Sequence, residues 1–261
     1  MEKSIVIKIG GAAFGKRDPI LEDIVALQKK GKSLVVIHGG GNIVTEWLKK
    51  LGIETKFVRG ERITDRPALD VVAAVLAGLA NKQIIATINN LGGRAVGISG
   101  VDGAMVQSRI ANPELGYVAQ TVKVDPTVIN VLLQAGFIPV ISPITDFTFD
   151  RPSDAPLMLN INGDPMAGEI AAALDAEKLI FLTDVTGVLD KDGKLLAVIN
   201  LKQAKELIDS GTASGGMIPK LNACLIAAAH KTITCIVDGR QPHALINAIE
   251  SDQAGTIIRA R

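Results

Sequence analysis

The sequence predicts an α/β fold built on a mostly parallel sheet covered by crossover helices. Short apolar runs rich in Val and Ile alternate with longer stretches of helical spacing, and that alternation is what parallel strands joined by helices require. Glycines stand at the junctions between the two patterns. At 261 residues, 48% of them hydrophobic, the chain can bury a core as one large domain or two lobes without help from disulfides.

In order along the chain, Ser4 to Ile9 and Leu34 to His38 read as the first two strands. Ile20 to Lys29 has helical spacing between them, with Gly31 at a C-cap position. Ile43 to Leu51 forms a second helix, ended by Gly52. Ile53 to Asp65 has no helical period and reads as a strand excursion or hairpin over the sheet edge. Pro67 to Leu91 is a long helix that Thr64 or Asp65 can cap and Gly92-Gly93 ends. Ala95 to Ser99 is a buried strand, Met105 to Ser108 and Tyr117 to Val124 form an antiparallel pair, and a helix opens at Asp125-Pro126 and stops at Gly136. After the strand Ile138 to Ile141, Pro, Asp and Ser gather between Asp146 and Pro156 as a mobile loop ahead of Leu157 to Ile161. The α/β pattern then resumes: a helix from Asp164 to Leu174, a strand Leu179 to Leu182, a turn at Lys191-Asp192-Gly193, helices from Leu201 and Pro219, a strand Thr232 to Val237, a helix near Ala244 and a last strand at Thr256.

Charge and composition exclude several classes. Lys plus Arg against Asp plus Glu is 28 against 27, and aromatic residues make up 3%, so neither a global field nor a stacking surface points to nucleic acid. An anionic membrane surface is excluded by the same balance, and the longest apolar stretch, Val71 to Ala80, is too short to span a bilayer before Asn81 and Lys82. The two cysteines, Cys224 and Cys235, have neither zinc-site nor redox-pair spacing, and buried thiols in a reducing cytoplasm are expected. Met1-Glu2-Lys3-Ser4 runs directly into the first strand without the features of a signal peptide.

Any anion must therefore be held locally, and several clusters are built to hold one. Gly10 to Arg17 approaches the phosphate-binding loop G-x-x-x-x-G-K-[ST], but Arg17 replaces the magnesium-binding hydroxyl. His38-Gly39-Gly40-Gly41-Asn42 lacks the spacing of a dinucleotide turn. What these segments share is a strand-to-helix turn with adjacent glycines, Gly10-Gly11 and Gly39-Gly40-Gly41, both leaving the carboxyl edge of one sheet. Such turns present free N–H groups to an anion, although a tight turn also needs glycine for its own sake. Lys8 ends a strand otherwise made of Ile and Val, where a lysine either snorkels to water or pairs with an anion.

Asn160-Ile161-Asn162-Gly163-Asp164-Pro165 places two amides and a carboxylate before a helix. Capping by Asp164, with Pro165 at the first helical position, explains the carboxylate. It leaves Asn160 and Asn162, which project the same way from an extended segment, as ligand-facing groups. Ser214 to Lys220 opens a helix on a glycine pair with a lysine in the first turn, a position that opposes the helix dipole unless a phosphate reverses the local sign. Arg62, in the non-helical excursion, is either an ordinary surface arginine or a bidentate partner for a carboxylate.

Taken in order, Ile7 to Gly11, His38 to Gly41, Gly60 to Asp65, Leu76 to Gly78 with Asn81-Lys82, Asn160 to Asp164, Thr183 to Val188 and Ser214 to Lys220 resemble the motifs of the amino acid kinase superfamily. Within it they are similar to those of the bacterial N-acetylglutamate kinases, and the likeness runs from about Ile5 to the end. The resemblance implies a three-layer αβα sandwich with two lobes, residues 1–172 for the amino acid and dimerisation and residues 173–261 for ATP. It implies Lys8 and Lys220 as the cations on the transferring phosphoryl group and Asp164 as the carboxylate that orients them. Gly10, Gly11, Gly40 and Gly41 would offer amides to phosphate and substrate, and Arg62, Asn160 and Asn162 would hold the acyl-amino acid. Asp184, Val185, Thr186, Gly187, Val188 and Leu189, with Thr212, Ala213 and Ser214, would form the nucleotide loops.

The expected reaction is ATP-dependent phosphorylation of the side-chain carboxylate of N-acetyl-L-glutamate in arginine biosynthesis. Mg2+ would be held mainly by ATP phosphates and water, with no ligand assigned to the protein. No general base is needed, since a carboxylate is already ionised near neutral pH. Glu61, where the family more often has an apolar residue, and Gly163, where it usually has alanine, are departures near the substrate. They leave open an aminoadipate or glutamate carried on a small acidic protein. A non-catalytic sensor of amino acid or nucleotide is the alternative from another class, and Lys8, Asp164 and Lys220 together argue against it. With the first strand so close to the start, the extra N-terminal helix of arginine-inhibited hexameric relatives is not expected, so the resemblance implies an arginine-insensitive homodimer, and the lack of signal-peptide features implies the cytoplasm.

Overall fold

The computed structural model describes residues 3–10, 19–58, 61–251 and 255–260. Strand β1 (Ile5–Ile9) leads to helix α1 (Pro19–Lys29), β2 (Leu34–His38) and α2 (Gly41–Lys50). Two short strands, β3 (Phe57–Val58) and β4 (Glu61–Arg62), pair antiparallel and form the expected excursion. Helix α3 (Arg66–Ala73) passes through a π-helical segment, Ala74–Ala80, into α4 (Asn81–Asn90). Then come β5 (Ala95–Ser99), β6 (Val106–Ile110), β7 (Ala119–Val124), α5 (Thr127–Gln134), β8 (Ile138–Ser142), β9 (Ile144–Phe147) and β10 (Met158–Asn160). The remainder comprises α6 (Gly163–Ala173), β11 (Lys178–Thr183), β12 (Val198–Asn200), α7 (Leu201–Asp209), α8 (Met217–Ala229), β13 (Ile233–Asp238), α9 (Ala244–Glu250) and β14 (Thr256–Arg259).

Among the described residues, eight strands form the central sheet in the order β12-β14-β13-β11-β1-β2-β8-β5. Every pairing from β13 to β5 is parallel, and β14 runs antiparallel to β13. Strand alternation sorts the core into two sides. Ile5, Ile7 and Ile9 of β1 pack with α1, α4 and α9, whereas Val6, with Ile37 and Phe181 of the neighbouring strands, packs with α6 and α8. Lys8 shares the parity of Val6, so its side chain leaves the sheet on the α6 and α8 side, at the carboxyl end of the most central strand. A second sheet, β10-β9-β6-β7, carries Asn160 at the end of β10.

Several expectations change with the packing. The stretch from Asp146 to Pro156 is not a simple loop between distant elements, because Ile144–Phe147 pairs antiparallel with Met158–Asn160 and makes it the connection of a hairpin. The long helix is continuous from Arg66 to Asn90, and its 25 residues are long and apolar enough to cross a membrane by length and composition, which Val71 to Ala80 alone are not. In the fold it is a layer helix: Ala68, Val72, Val75 and Leu76 are buried with α2, and Ile84 and Ile88 with α1 and the sheet. Asp65 is its N-cap, accepting from the Ala68 N–H at 2.9 Å. At the next site Asn162, not Asp164, caps α6, its Oδ1 accepting from the Asp164 N–H at 3.0 Å. Both cysteines are buried, and burial pushes the Cys224 thiol up to about 12, which keeps it unreactive.

Helices α6 and α8 cross at Gly168. A Cβ there would stand 2.7 Å from the Ala223 carbonyl oxygen and 2.8 Å from its Cα, both backbone atoms that cannot swing aside. Gly168→Ala should therefore force the two helices apart and lower unfolding free energy by about 1–3 kcal/mol, read from urea transitions. An unchanged midpoint would show that the crossing is looser than these contacts indicate.

Candidate active site

Three elements deliver one charged cluster. Lys8 comes from the end of β1, Asp164 from the first turn of α6, and Lys220 from the first turn of α8. The Asp164 carboxylate lies 2.5 Å from Lys8 Nζ through Oδ1 and 2.9 Å from Lys220 Nζ through Oδ2. Lys220 also donates to the Gly216 carbonyl at 3.2 Å. Burial by itself would raise the Asp164 carboxyl, but the charges and hydrogen bonds of Lys8 and Lys220 outweigh it and hold the group below the usual 3.8. Two ammonium groups against one carboxylate leave net positive charge for a further anion.

A cleft of about 260 Å³ opens beside this cluster. Lys8, Gly39, Gly40, Gly41, Glu61, Arg62, Asn160, Asn162 and Gly163 all line it, so the sequence-predicted substrate residues converge although they are far apart in the chain. Gly39 donates to the Ile9 carbonyl at 2.9 Å, and Gly40 has φ 148°, a conformation that L side chains avoid, before α2 begins at Gly41. Gly10 lies at the cluster's edge of the sheet, its N–H donating to Leu182 at 3.3 Å, while Gly11 and the rest of the glycine-lysine run to Arg17 fall outside the described residues, as does Gly60.

Arg62 is held from below and behind. Its Nη2 donates to the Gly41 carbonyl at 3.0 Å and to Thr45 Oγ1 at 2.7 Å, and its guanidinium sits 4.8 Å from the Phe57 ring centroid. Its Nη1 is buried with no hydrogen-bond partner among the described residues, and burial draws the guanidinium down from its ordinary value. The guanidinium lines the cleft, and its planar fork suits a carboxylate. Asn160 donates to Thr64 Oγ1 at 3.2 Å and faces the same cleft, and the Asn162 oxygen is occupied by its capping bond.

None of the predicted nucleotide-loop residues lines this cleft. Asp184, Val185, Thr186 and Leu189 are exposed on the segment after β11, and Thr186 borders a separate cavity of about 440 Å³ with Asp238 and Gln241. Gly187 and Val188 are buried, with the Val188 N–H donating to Thr256 Oγ1 at 2.8 Å. Ala213 is also buried, its N–H bonded to Leu207 at 2.8 Å, between the half-buried Thr212 and the exposed Ser214. Val188 and Ala213 thus anchor their segments, and the side chains free to meet a ligand are their neighbours. Among the described residues no group of three or more His, Cys, Asp or Glu gathers as a metal site.

Sequence reasoning missed the polar chain behind the glycine turn. His38 is buried, with Nδ1 2.7 Å from the Gly39 carbonyl and Nε2 3.2 Å from Asn81 Nδ2. Burial takes its pKa down to about 4, opposed by the Gly39 bond and reinforced by the Lys8 charge. The available signal was a histidine on a strand of buried aliphatic residues, where an unsatisfied ring is costly.

The chain matches the amino acid kinase family over residues 3–238. It is 50% identical over 254 residues to an acetylglutamate kinase of Dehalococcoides mccartyi, covering 97% of this chain and 93% of the relative. It is 44% identical over 262 residues to one of Cereibacter sphaeroides, covering 98% and 87%. Among solved structures, smu.665 from Streptococcus mutans superposes with a TM-score of 0.82 at 28% identity over 100% of both chains. Carbamate kinase from Giardia lamblia shares the fold, with a TM-score of 0.70 at 16% identity and 98% of each chain covered.

Replacing Asp164 by Asn would leave two ammonium groups facing each other without their counter-ion. Because the folded pKa is depressed, the carboxylate contributes stability that is present above the unfolded value and lost as pH falls through the folded one. Asp164→Asn should cost about 3–5 kcal/mol at pH 7, and the gap to wild type should close as pH drops below 3.8, in denaturant melts taken across pH. A gap that failed to narrow below 3.8 would contradict the assignment of charge.

Proposed function

The chain belongs to the amino acid kinase family, and we propose that it transfers the γ-phosphoryl group of ATP to the side-chain carboxylate of N-acetyl-L-glutamate, the acyl phosphate serving arginine biosynthesis. The observation that carries this reading is the buried Asp164 carboxylate holding Lys8 and Lys220 at the end of a cleft walled by glycine amides and Arg62. The identity to acetylglutamate kinases over nearly the whole chain supports the substrate.

The acceptor carboxylate is an adequate nucleophile at neutral pH, so the protein has to position two anions and cancel their charge. ATP supplies the phosphoryl group when bound. Lys8 and Lys220 offer ammonium groups to its equatorial oxygens, and Asp164 holds both at fixed places so that no reorganisation is needed as charge shifts. The start of α8 adds its dipole to the charge of Lys220, which resolves the unfavourable placement of a lysine there. The Arg62 guanidinium and the Asn160 amide grip the acetylated amino acid, and the Gly40 and Gly41 amides face its reacting end. Lysines and amides match phosphate oxygens, and Mg2+ would be carried by the phosphates and water rather than by side chains.

In this reading residues 1–172 bind the amino acid and mediate a homodimer, and residues 173–261 bind ATP. The strand order supports that division: β1, β2, β8 and β5 occupy one half of the sheet and β11, β13, β14 and β12 the other. Asp184 to Leu189 and Thr212 to Ser214 belong to the ATP half, and the cytoplasm is its compartment.

A hydroxamate assay with ATP, Mg2+ and N-acetyl-L-glutamate, beside glutamate, aspartate, carbamate and N-acetyl-aminoadipate, tests the proposal. Turnover should be confined to N-acetyl-L-glutamate, and Lys8→Ala or Lys220→Ala should lower kcat by roughly a hundred- to a thousandfold. Bound ATP with no reaction of any free acid would replace this reading with a carrier-linked substrate or a sensor. Arg62→Lys keeps the charge but loses the planar fork, and it should raise KM for N-acetyl-L-glutamate about 10- to 100-fold with less effect on KM for ATP. Equal changes in both constants would place Arg62 elsewhere in the reaction.

A further inference from the structure

The polar chain behind the glycine turn has a defined direction. Asn81 Nδ2 donates to the Val140 carbonyl at 2.9 Å and faces His38 Nε2 at 3.2 Å. A flipped Asn81 amide would set oxygen against the Val140 oxygen, so the NH2 group faces both partners and spends one hydrogen on each. His38 Nε2 must then accept, and the ring proton resides on Nδ1, 2.7 Å from the Gly39 carbonyl. Lys82 Nζ, 3.3 Å from Asn81 Oδ1, favours the same amide orientation.

The fold makes room for this chain at specific places. Asn81 is the first residue after the π-helical segment, and it packs where Gly97 has no side chain: a Cβ there would stand 2.0 Å from Asn81 Oδ1. At the other end, the Gly39–Gly40 peptide is part of a glycine turn that side chains do little to restrain. In a trans peptide the Gly40 N–H points opposite to the Gly39 carbonyl. Holding the carbonyl on the buried imidazole therefore directs the amide away from His38, and Gly40 lines the cleft.

We propose that His38, kept in its Nδ1–H form by Asn81, is a positioning residue that aims the Gly40 amide at the reacting groups. The proposal rests on the phosphoryl-transfer reading given above. The ring's depressed pKa of about 4 keeps it neutral at working pH, so the same hydrogen-bond direction persists through turnover. His38 touches no substrate and exchanges no proton in this role.

Two substitutions separate the two ring nitrogens. An asparagine side chain can place an N–H near the position of Nδ1, whereas glutamine reaches the Nε2 position and abandons Gly39. His38→Asn should keep kcat within about fivefold of wild type and His38→Gln should lower it roughly 10- to 100-fold, by analogy with other outer partners of reacting groups. Both should bind ADP with wild-type Kd. In the 15N-imidazole spectrum of a chain with three histidines, the signal lost in His38→Asn should show a protonated Nδ1 and a bare Nε2. Equal kcat in the two variants, or a proton on Nε2, would overturn the proposal. The tautomer is read on the wild-type chain and needs neither variant to fold. A wild-type chain that fails to turn over N-acetyl-L-glutamate would count against the proposed reaction, and the spectrum would still decide the His38–Gly39 bond.

Discussion

Asp164 holds Lys8 at 2.5 Å and Lys220 at 2.9 Å, and a carboxylate this deeply buried remains ionised only because both cations are there. The constraint runs in both directions, since neither lysine would stay at a part-buried position without the carboxylate. The three groups belong to a strand and two helices, so the cluster exists only when β1, α6 and α8 meet. Gly168 against Ala223 sets how closely the helices approach, and the parity of β1 sets which face Lys8 takes. Charge placement and helix packing are thus one requirement.

The wall facing that cluster follows a different rule. It is made of backbone amides and of side chains whose other ends are already engaged. Arg62 spends Nη2 on Gly41 and Thr45, which fixes its guanidinium where the side chain lines the cleft. His38 is tied to Gly39 and Asn81, and Asn160 to Thr64. Groups fixed at one end lose little freedom when a ligand arrives.

Much of this was legible residue by residue. A lysine closing an Ile-Val strand, two glycine turns at one sheet edge, and a lysine in the first turn of a helix each carried a local contradiction that an anion resolves. The antiparallel pair after Met105 and the mostly parallel character of the main sheet were expected from the sequence pattern, whereas the strand order was not. Less legible were features whose signal lies in a partner distant along the chain. Strand β9 is short and was hidden by the proline-rich run after it until β10 supplied its ladder. Asn162 lines the cleft, but its second task, capping α6 through its oxygen, is set by where the helix begins. Val188 and Ala213 sat in loop-like sequence yet are buried anchors.

By itself the sequence determined the layered α/β plan, the glycine turns and the charged residues that require an anion, because these depend on periodicity, backbone freedom and charge, which are properties of short segments. Only the tertiary structure decided that Asp164 serves both lysines, that Arg62 is tied to Gly41 and Thr45, and that His38 is locked by Asn81 across 43 residues of chain. Hydrogen-bond direction and the net charge of a cluster depend on which distant groups meet, and that is set by the packing of strands and helices against one another.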